Sequence, residues 1–186
     1  MILEPWRITE AREVYVAEPW IKVIRQQVSL PNGKVVNDYH RIELPDYTII
    51  YAENNEGKVI VERQYRHGLG EATLVFPAGS IEMDEPPLEA AKRELLEKTG
   101  YASDDWRALG DFVLHGNYGC GRAHIFRAAR AQLIAEPNSD DLEDLEVILM
   151  TVPELIDAFR AGQVGVMGTM ATLALATNPL MQQGQS

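Results

Sequence analysis

The chain has 186 residues, of which 46% are hydrophobic and 24% are charged, as in ordinary globular proteins. This length is sufficient for one domain with a sizeable core and a small appended subdomain. The formal net charge of -11 disfavours nucleic acids and anionic membranes as partners, because nonspecific binding to them requires positive charge.

Cysteine content and the apolar pattern bear on the cellular compartment. Cys120 is the only cysteine, so no internal disulfide can form, and this fits a reducing compartment. The N-terminus has no basic start followed by an apolar stretch, and no run approaches about 18 apolar residues. We therefore predict a cytoplasmic protein without a membrane segment.

The N-terminal third is rich in residues that favour strands. Residues 13–29 and 35–52 contain many Val, Ile, Tyr and Trp residues. They flank the sequence LPNGK, in which Asn32 and Gly33 suit a tight hairpin turn. This pattern predicts antiparallel strands.

Two more strands are predicted before the first helix. The turn ENNEG precedes KVIVERQYR, residues 58–66, whose alternating apolar residues indicate a short buried strand. ATLVFPAG, residues 72–79, predicts another strand, which ends at its proline and glycine.

Apolar residues recur at helical spacing from residue 87, and charged residues fill the other positions. Asp84 or Glu85 can cap the start of this segment, and Gly100 suits a position just past its end. We therefore predict an amphipathic helix from about residue 86 to 99, with an apolar face formed by Leu88, Ala91 and Leu95.

The remaining chain predicts strands followed by helices. WRALGDFVLHG and RAHIFRAARAQLI read as strands around a glycine-rich loop, and LEVILMT reads as another strand. VPELIDAFRAG and GTMATLALAT predict two helices. The order of elements indicates an α+β fold in which a mixed β-sheet packs between helices.

The segment from Gly79 to Tyr101 resembles the Nudix box, whose pattern is G x5 E x7 R E U x E E x G U, with U a bulky apolar residue. Flanking segments are similar to the ADP-ribose pyrophosphatase-like branch of the family, namely VERQYRHGLGEATLVFPAG before the box and DLEDLEVILMTVPEL after it. The positions that match the box are Gly79, Glu85, Arg93, Glu94, Leu95, Glu97, Gly100 and Tyr101.

The resemblance implies a Nudix-type mixed β-sheet sandwiched between helices, with an N-terminal antiparallel strand-rich subdomain. Residues 1–45 would form this subdomain and a dimerisation element, because related enzymes pair through their N-terminal strands. Residues 46–180 would form the Nudix hydrolase domain, and residues 181–186 a flexible tail. The expected assembly is a homodimer.

The spacing within the helix fits a metal site. Residues 94, 97 and 98 are adjacent or lie three or four apart, so they project from one helix face. Carboxylates on that face form an oxygen-rich site for Mg2+, or for Mn2+, and a metal there would neutralise a diphosphate and help generate a hydroxide. Without the surrounding matches, Glu94 and Lys98 would be interpreted as an exposed ion pair.

The resemblance also implies residue roles. Glu94 is expected to bind the metal, together with the backbone carbonyl of Ala78. Glu97 is expected to be a metal ligand or to contact a metal-bound water. Arg93 and Glu85 are expected to form an ion pair that fixes the helix against the preceding loop.

Other roles concern the water and the substrate. Glu143 aligns with the glutamate that acts on water and is also expected at the metal, although the register leaves Asp141, Asp144 and Glu146 open. Arg66 is expected to contact the diphosphate or its terminal ribose. Gly79 and Lys98 are further residues expected near the substrate.

Two positions depart from the family pattern. Val75 stands where the branch generally has a glutamate, so a carboxylate on the substrate side is missing. Lys98 stands where the family has the second of its paired glutamates. Either Lys98 turns toward solvent or the diphosphate in an enzyme with fewer metals, or its ammonium occupies a metal position.

The predicted function is metal-dependent hydrolysis of a nucleoside diphosphate linked to X. The expected substrate is ADP-ribose or a nucleotide sugar, and the products are a nucleoside monophosphate and phosphorylated X. The alternative is a catalytically weakened or inactive domain that binds a nucleotide or has a regulatory or interaction role.

Overall fold

The computed structural model describes residues 3–138 and 145–182, which divide into two compact units. The first unit contains the residues up to Asp46 together with Phe112–Arg122, and the second contains Tyr47–Asp111 and the residues from Ala123 onward.

In chain order the described elements are β1 Arg7–Ala17, β2 Ile21–Ser29, β3 Val35–Glu43, β4 Tyr47–Asn54, β5 Val59–Arg66, β6 Glu71–Val75, β7 Ala78–Ser80, α1 Pro87–Thr99, β8 Tyr101–Ala102, β9 Asp105–His115, β10 Gly119–Leu133, β11 Leu145–Met150, α2 Val152–Arg160, α3 Met167–Thr177 and α4 Pro179–Gln182.

The first unit is built on an antiparallel meander of β1, β2 and β3. The predicted hairpin turn after β2 is confirmed, since the Gly33 N–H donates to the Leu30 carbonyl at 2.9 Å. The stretch 13–29 holds two strands, because the chain reverses where the Trp20 N–H donates to the Ala17 carbonyl at 2.8 Å.

The second unit contains a mixed sheet with the strand order β10, β4, β5, β11. Strands β10 and β4 are parallel, whereas β4 with β5 and β5 with β11 are antiparallel. Two short strands add to this sheet, because β6 pairs with β5 and β7 pairs with β4. The predicted mixed sheet is confirmed.

Helices cover both faces of this sheet, because alternate residues of each strand point to opposite sides. Ile49 and Tyr51 of β4 belong to a buried cluster that includes Leu155 of α2 and Leu173 of α3. Their neighbours in β4, Ile50 and Ala52, belong to a second cluster on the other face, which includes Ala91 and Leu95 of α1. The expected sandwich is therefore present in this unit.

Helix α1 has nearly the predicted limits, but the predicted side-chain cap is wrong. Pro86 occupies the N-cap position, and no side chain there accepts a hydrogen bond from the first turn. The carboxylate of Glu85 is instead bonded to Arg93. At the other end, Gly100 has a φ of 74° and its N–H donates to the Leu96 carbonyl, as expected for a glycine after a helix.

The C-terminal helices also follow the sequence pattern closely. Helix α2 starts with a reciprocal capping box between Thr151 and Glu154. The short α4 overlaps the start of the predicted tail, and residues 183–186 lie outside the described part of the chain. None of the described helices is long and apolar enough to cross a membrane.

We expect Gly100→Ala to destabilise the protein more than Gly57→Ala does. Both glycines have a φ of +74°, but a Cβ at position 100 would lie 2.0 Å from the Ala135 carbonyl oxygen, whereas none of the described atoms lies within 4 Å of one at position 57. The strained φ costs about 1–2 kcal/mol in both variants, and overpacking adds about 1–3 kcal/mol at position 100 only. Urea unfolding measures both values, and equal losses would contradict this account.

Candidate functional site

Helix α1 places Glu94 directly against the backbone of β7. A Cβ atom at position 79 would lie 1.9 Å from the carboxyl carbon of Glu94 and 2.0 and 2.1 Å from its oxygens. Gly79 pairs with Thr48 of β4, so its position is fixed by the sheet. A side chain at position 79 would therefore displace the Glu94 carboxylate from this position, which gives Gly79 a packing role in addition to the expected one at the substrate.

The guanidinium of Arg93 organises the carboxylates around this contact. Its Nε and Nη2 donate to the two oxygens of Glu85, each at 2.9 Å. Nη1 donates to Glu94 at 2.8 Å and to Glu97 at 3.2 Å, and Nη2 also donates to the Ser80 carbonyl at 3.1 Å. All five N–H donors of the side chain are therefore used.

This network ties α1 to the loop between β7 and the helix. The expected ion pair between Arg93 and Glu85 is present as a bidentate contact, which is the strongest geometry for such a pair. Glu85 also accepts a hydrogen bond from the Glu82 backbone N–H at 3.0 Å. The hydrogen bond from Arg93 lowers the pKa of Glu85, so this carboxylate is ionised well below neutral pH.

Glu94 is a buried carboxylate with an unusual electrostatic balance. The residue is 8% exposed. Burial raises the pKa of Glu94, and the hydrogen bond from Arg93 and the positive charge of Lys98 oppose this rise. A carboxylate in such surroundings gains strongly from an additional positive charge, and a bound cation would supply one.

Lys98 is buried as well, with 6% exposure. It lies one helical turn after Glu94, on the side of α1 that packs against the sheet. This burial contradicts two interpretations of the sequence, namely an exposed ion pair between Glu94 and Lys98 and a Lys98 side chain turned toward solvent. The positive charge of Lys98 acts on the pKa of Glu94, so this ammonium lies near the carboxylate that is expected to bind a metal.

The sheet face under α1 carries a carboxylate that the sequence pattern did not assign to the site. Glu62 of β5 is 0% exposed, and it lies on the same face of the strand as Ile60, which packs with Ala91 and Leu95 of α1. Gln64, two residues further along, is also buried. The signal in the sequence is a glutamate inside a run that predicts a buried strand.

The pairing of β5 with β6 places Glu62 opposite Val75, the position at which the resemblance leads us to expect a carboxylate. Glu62 pairs directly with Val75 across the two antiparallel strands, so their side chains lie on one face. A carboxylate thus stands one strand away from the position where the resemblance leads us to expect it. Arg66 ends β5 two residues beyond Gln64 and is half-buried.

The remaining candidates differ in their surroundings. Glu97 is bonded to Arg93, and its side chain is 46% exposed. Glu143 and the alternatives Asp141 and Asp144 lie outside the described residues. Glu146 is exposed and forms an ion pair at 3.1 Å with Arg63, on the strand face away from α1.

The described donors fit one Mg2+ ion. Protein sites commonly bind Mg2+ through one or two carboxylates together with substrate phosphates. Glu94 and Glu97, which both accept a hydrogen bond from Nη1 of Arg93, would supply two such carboxylates, and the carbonyl of Ala78 is the third expected donor. In residues 3–138 and 145–182 no group of three Asp, Glu, His or Cys side chains is arranged for a metal.

Comparison with known proteins identifies a family and related sequences. A family model for the NUDIX domain matches residues 44–167. The chain is 28% identical over 157 residues to the ADP-ribose pyrophosphatase of Bacillus subtilis (strain 168), covering 84% of each chain. It is 27% identical over 147 residues to the methanol dehydrogenase activator of Bacillus methanolicus, covering 77% of this chain and 78% of that protein.

The fold also matches a solved structure. A crystal structure of an ADP compounds hydrolase superposes with a TM-score of 0.85 at 21% identity, covering 100% of both chains. This match shows the fold, and the sequence relatives support the ADP-ribose pyrophosphatase-like branch and an enzyme of the pyrophosphohydrolase class. Enzymes of this kind generally use divalent metals. Because the family model covers more than half of its residues, the chain belongs to the Nudix family.

Proposed function

We propose that the protein hydrolyses the pyrophosphate bond of a nucleoside diphosphate linked to X, with ADP-ribose or a nucleotide sugar as the substrate. The products are a nucleoside monophosphate and phosphorylated X. The observation that carries this proposal is the buried Glu94 carboxylate, held against Gly79 and bonded to Arg93. Similarity to an ADP-ribose pyrophosphatase supports the choice of substrate class.

Glu94, Glu97 and the carbonyl of Ala78 would hold the metal, which we propose to be Mg2+ or Mn2+. When bound, a divalent ion at this site neutralises charge on the diphosphate and makes a bound water more acidic. Arg93 acts as a positioning residue, because it fixes the Glu94 oxygen that it contacts at 2.8 Å. Catalysis depends on such fixed geometry.

Two further residues complete the proposed site. Arg66 is proposed to bind the diphosphate or the terminal ribose, since its forked guanidinium matches phosphate oxygens. Glu143 is proposed as the carboxylate that acts on the attacking water and binds the metal. The net charge of -11 favours a small nucleotide over a nucleic acid as the substrate, because a long polyanion would be repelled.

We also propose that the chain forms a homodimer in the cytoplasm, with residues 1–45 as the dimerisation element. Strand β1 is exposed at every position except Ala17. Its exposed side chains include the apolar residues Ile8, Val14, Tyr15 and Val16. A strand with this much exposed apolar surface is typical of a protein interface.

Light scattering coupled to gel filtration measures the assembly state. We expect a mass of twice the 20.8 kDa chain for the unmodified protein and a single-chain mass for Val14→Asp combined with Val16→Asp. Phe159→Asp is the matched control, since Phe159 is a similarly exposed apolar residue on α2. A monomer before any substitution, or a dimer that survives both substitutions, would contradict the proposed dimer.

The activity itself is tested with ADP-ribose and a panel of nucleotide sugars in the presence of Mg2+ or Mn2+, with chromatography of the monophosphate product. We expect turnover, and we expect Glu94→Gln to lower kcat by about 100-fold or more, beyond the effect of losing an outer-shell contact. Glu89→Gln on the exposed side of α1 is the matched control and is expected to retain activity.

Loss of folding does not explain the expected effect of Glu94→Gln. Burial raises the pKa of Glu94 above its ordinary value of 4.5, so the folded state disfavours the charged form that exists at neutral pH. The stability contributed by this group is present at acidic pH and is lost as the pH rises through the folded-state pKa. The glutamine variant is therefore expected to keep its Tm at neutral pH.

Failure of the activity test has two forms. Absence of turnover across the panel, with nucleotide still bound, would favour the alternative of a weakened domain with a regulatory role. One relative is named as a methanol dehydrogenase activator, and this name describes a regulatory function of that protein. Absence of both turnover and nucleotide binding would contradict both functions.

We expect Gly79→Ala to lower activity by at least about 10-fold, because 1 Å displacements of reacting groups have effects of this size or larger. A Cβ at position 79 would overlap the Glu94 carboxylate. Gly68→Ala is the control, since none of the described atoms lies within 4 Å of a Cβ at that position. Steady-state kinetics with ADP-ribose compares the variants, and equal activity would show that Glu94 does not need its present position.

A further inference from the structure

We propose that the buried ammonium of Lys98 is a built-in cation of the site, which balances the buried carboxylates of Glu94 and Glu62 and thereby excludes a second divalent ion. This inference deepens the proposed function and rests on it in one respect, namely that the site binds a metal at Glu94. Lys98 and Glu62 would together determine how many divalent ions the site binds.

The sheet-facing side of α1 carries both apolar and charged residues. Ala91, Glu94, Leu95 and Lys98 are all buried, and their spacing places them on one helix face. Ala91 and Leu95 pack in the apolar cluster under the helix. The two charged residues therefore enter a largely apolar layer, where charges interact more strongly than in water.

Strand β5, which faces the helix, carries a buried carboxylate. Glu62 is 0% exposed, and its cross-strand neighbours are Val75 on one side and Val147 on the other. Ionised groups in such surroundings are stable only when an opposite charge compensates them. Among the described residues, Lys98 is the buried cation in this layer.

Acidic and basic side chains are both buried between α1 and β5. Arg93 distributes its charge over Glu85, Glu94 and Glu97 and lies partly at the surface. Within the buried layer, Glu94 and Glu62 are acidic and Lys98 is basic. A carboxylate at position 98 would make this layer uniformly acidic and attract another divalent ion, whereas the ammonium repels one.

Metal titration without nucleotide tests the inference directly. Mn2+ binding to the full chain is followed by electron paramagnetic resonance and calorimetry for the unmodified protein, for Lys98→Glu and for Lys92→Glu. The last variant is the matched control, because Lys92 lies on the exposed side of the same helix and pairs with Glu89.

We expect Lys98→Glu to bind one more Mn2+ per chain, or to bind Mn2+ at least about 10-fold more tightly, an effect in the range known for residues around metal sites. Lys92→Glu is expected to match the unmodified protein. A folded Lys98→Glu variant with unchanged number and affinity of Mn2+ ions would overturn the inference.

A second pair of variants covers the case in which Lys98→Glu does not fold. Lys98→Met is expected to lower the Tm, because it leaves the buried carboxylates without their ammonium. Adding Glu62→Gln to Lys98→Met is expected to restore part of that loss, whereas Glu62→Gln alone, with the ammonium of Lys98 present, is expected to bring no such gain in Tm. An unchanged Tm in Lys98→Met, or no restoration by Glu62→Gln, would overturn the pairing of these charges.

The two proposals fail in different measurements. An extra Mn2+ in Lys98→Glu without any nucleotide hydrolysis by the unmodified protein would support the inference and contradict the proposed hydrolase. Hydrolysis by the unmodified protein with unchanged Mn2+ binding in Lys98→Glu would support the hydrolase and contradict the inference.

Discussion

The five hydrogen bonds of the Arg93 guanidinium are the interaction on which the candidate site depends. They join α1 to the loop before it, and they fix the orientation of Glu94 through a contact of 2.8 Å. Gly79 completes this arrangement, because the absence of a side chain lets the Glu94 carboxylate lie against the β7 backbone. The sheet positions Gly79, the helix positions Glu94, and Arg93 holds the two elements in register.

The second constraint is the charge that this arrangement buries. Glu94, Lys98 and Glu62 all lie between α1 and the sheet, in a layer otherwise formed by apolar side chains. Charges in such a layer compensate one another or attract ions, because isolated buried charges are strongly disfavoured. The proposed binding of one cation at Glu94 and the proposed exclusion of another by the ammonium of Lys98 both follow from this constraint. We therefore expect the site to bind one divalent ion, to exclude a second, and to be active.

Local patterns predicted most of the fold and part of the site. The apolar spacing of α1 and the glycine after it gave its limits, and the box spacing predicted the pair of Arg93 and Glu85. The burial of side chains between α1 and the sheet was harder to predict from the sequence, because it depends on strand register. The sequence pattern of KVIVERQYR does not show that Glu62 faces α1 beside Val75, and helix spacing alone does not show whether Lys98 points to solvent. The side-chain cap failed because Glu85 has a tertiary partner in Arg93, which competes with the helix terminus.

Anomalous diffraction from crystals that contain Mn2+ and a non-hydrolysable ADP-ribose analogue would locate the proposed metal. We expect an Mn2+ peak within bonding distance of the Glu94 carboxylate and the Ala78 carbonyl, in contact with the diphosphate, and no Mn2+ bonded next to the Lys98 ammonium. A peak remote from Glu94, or a second Mn2+ among Glu94, Glu62 and Lys98, would contradict this expectation.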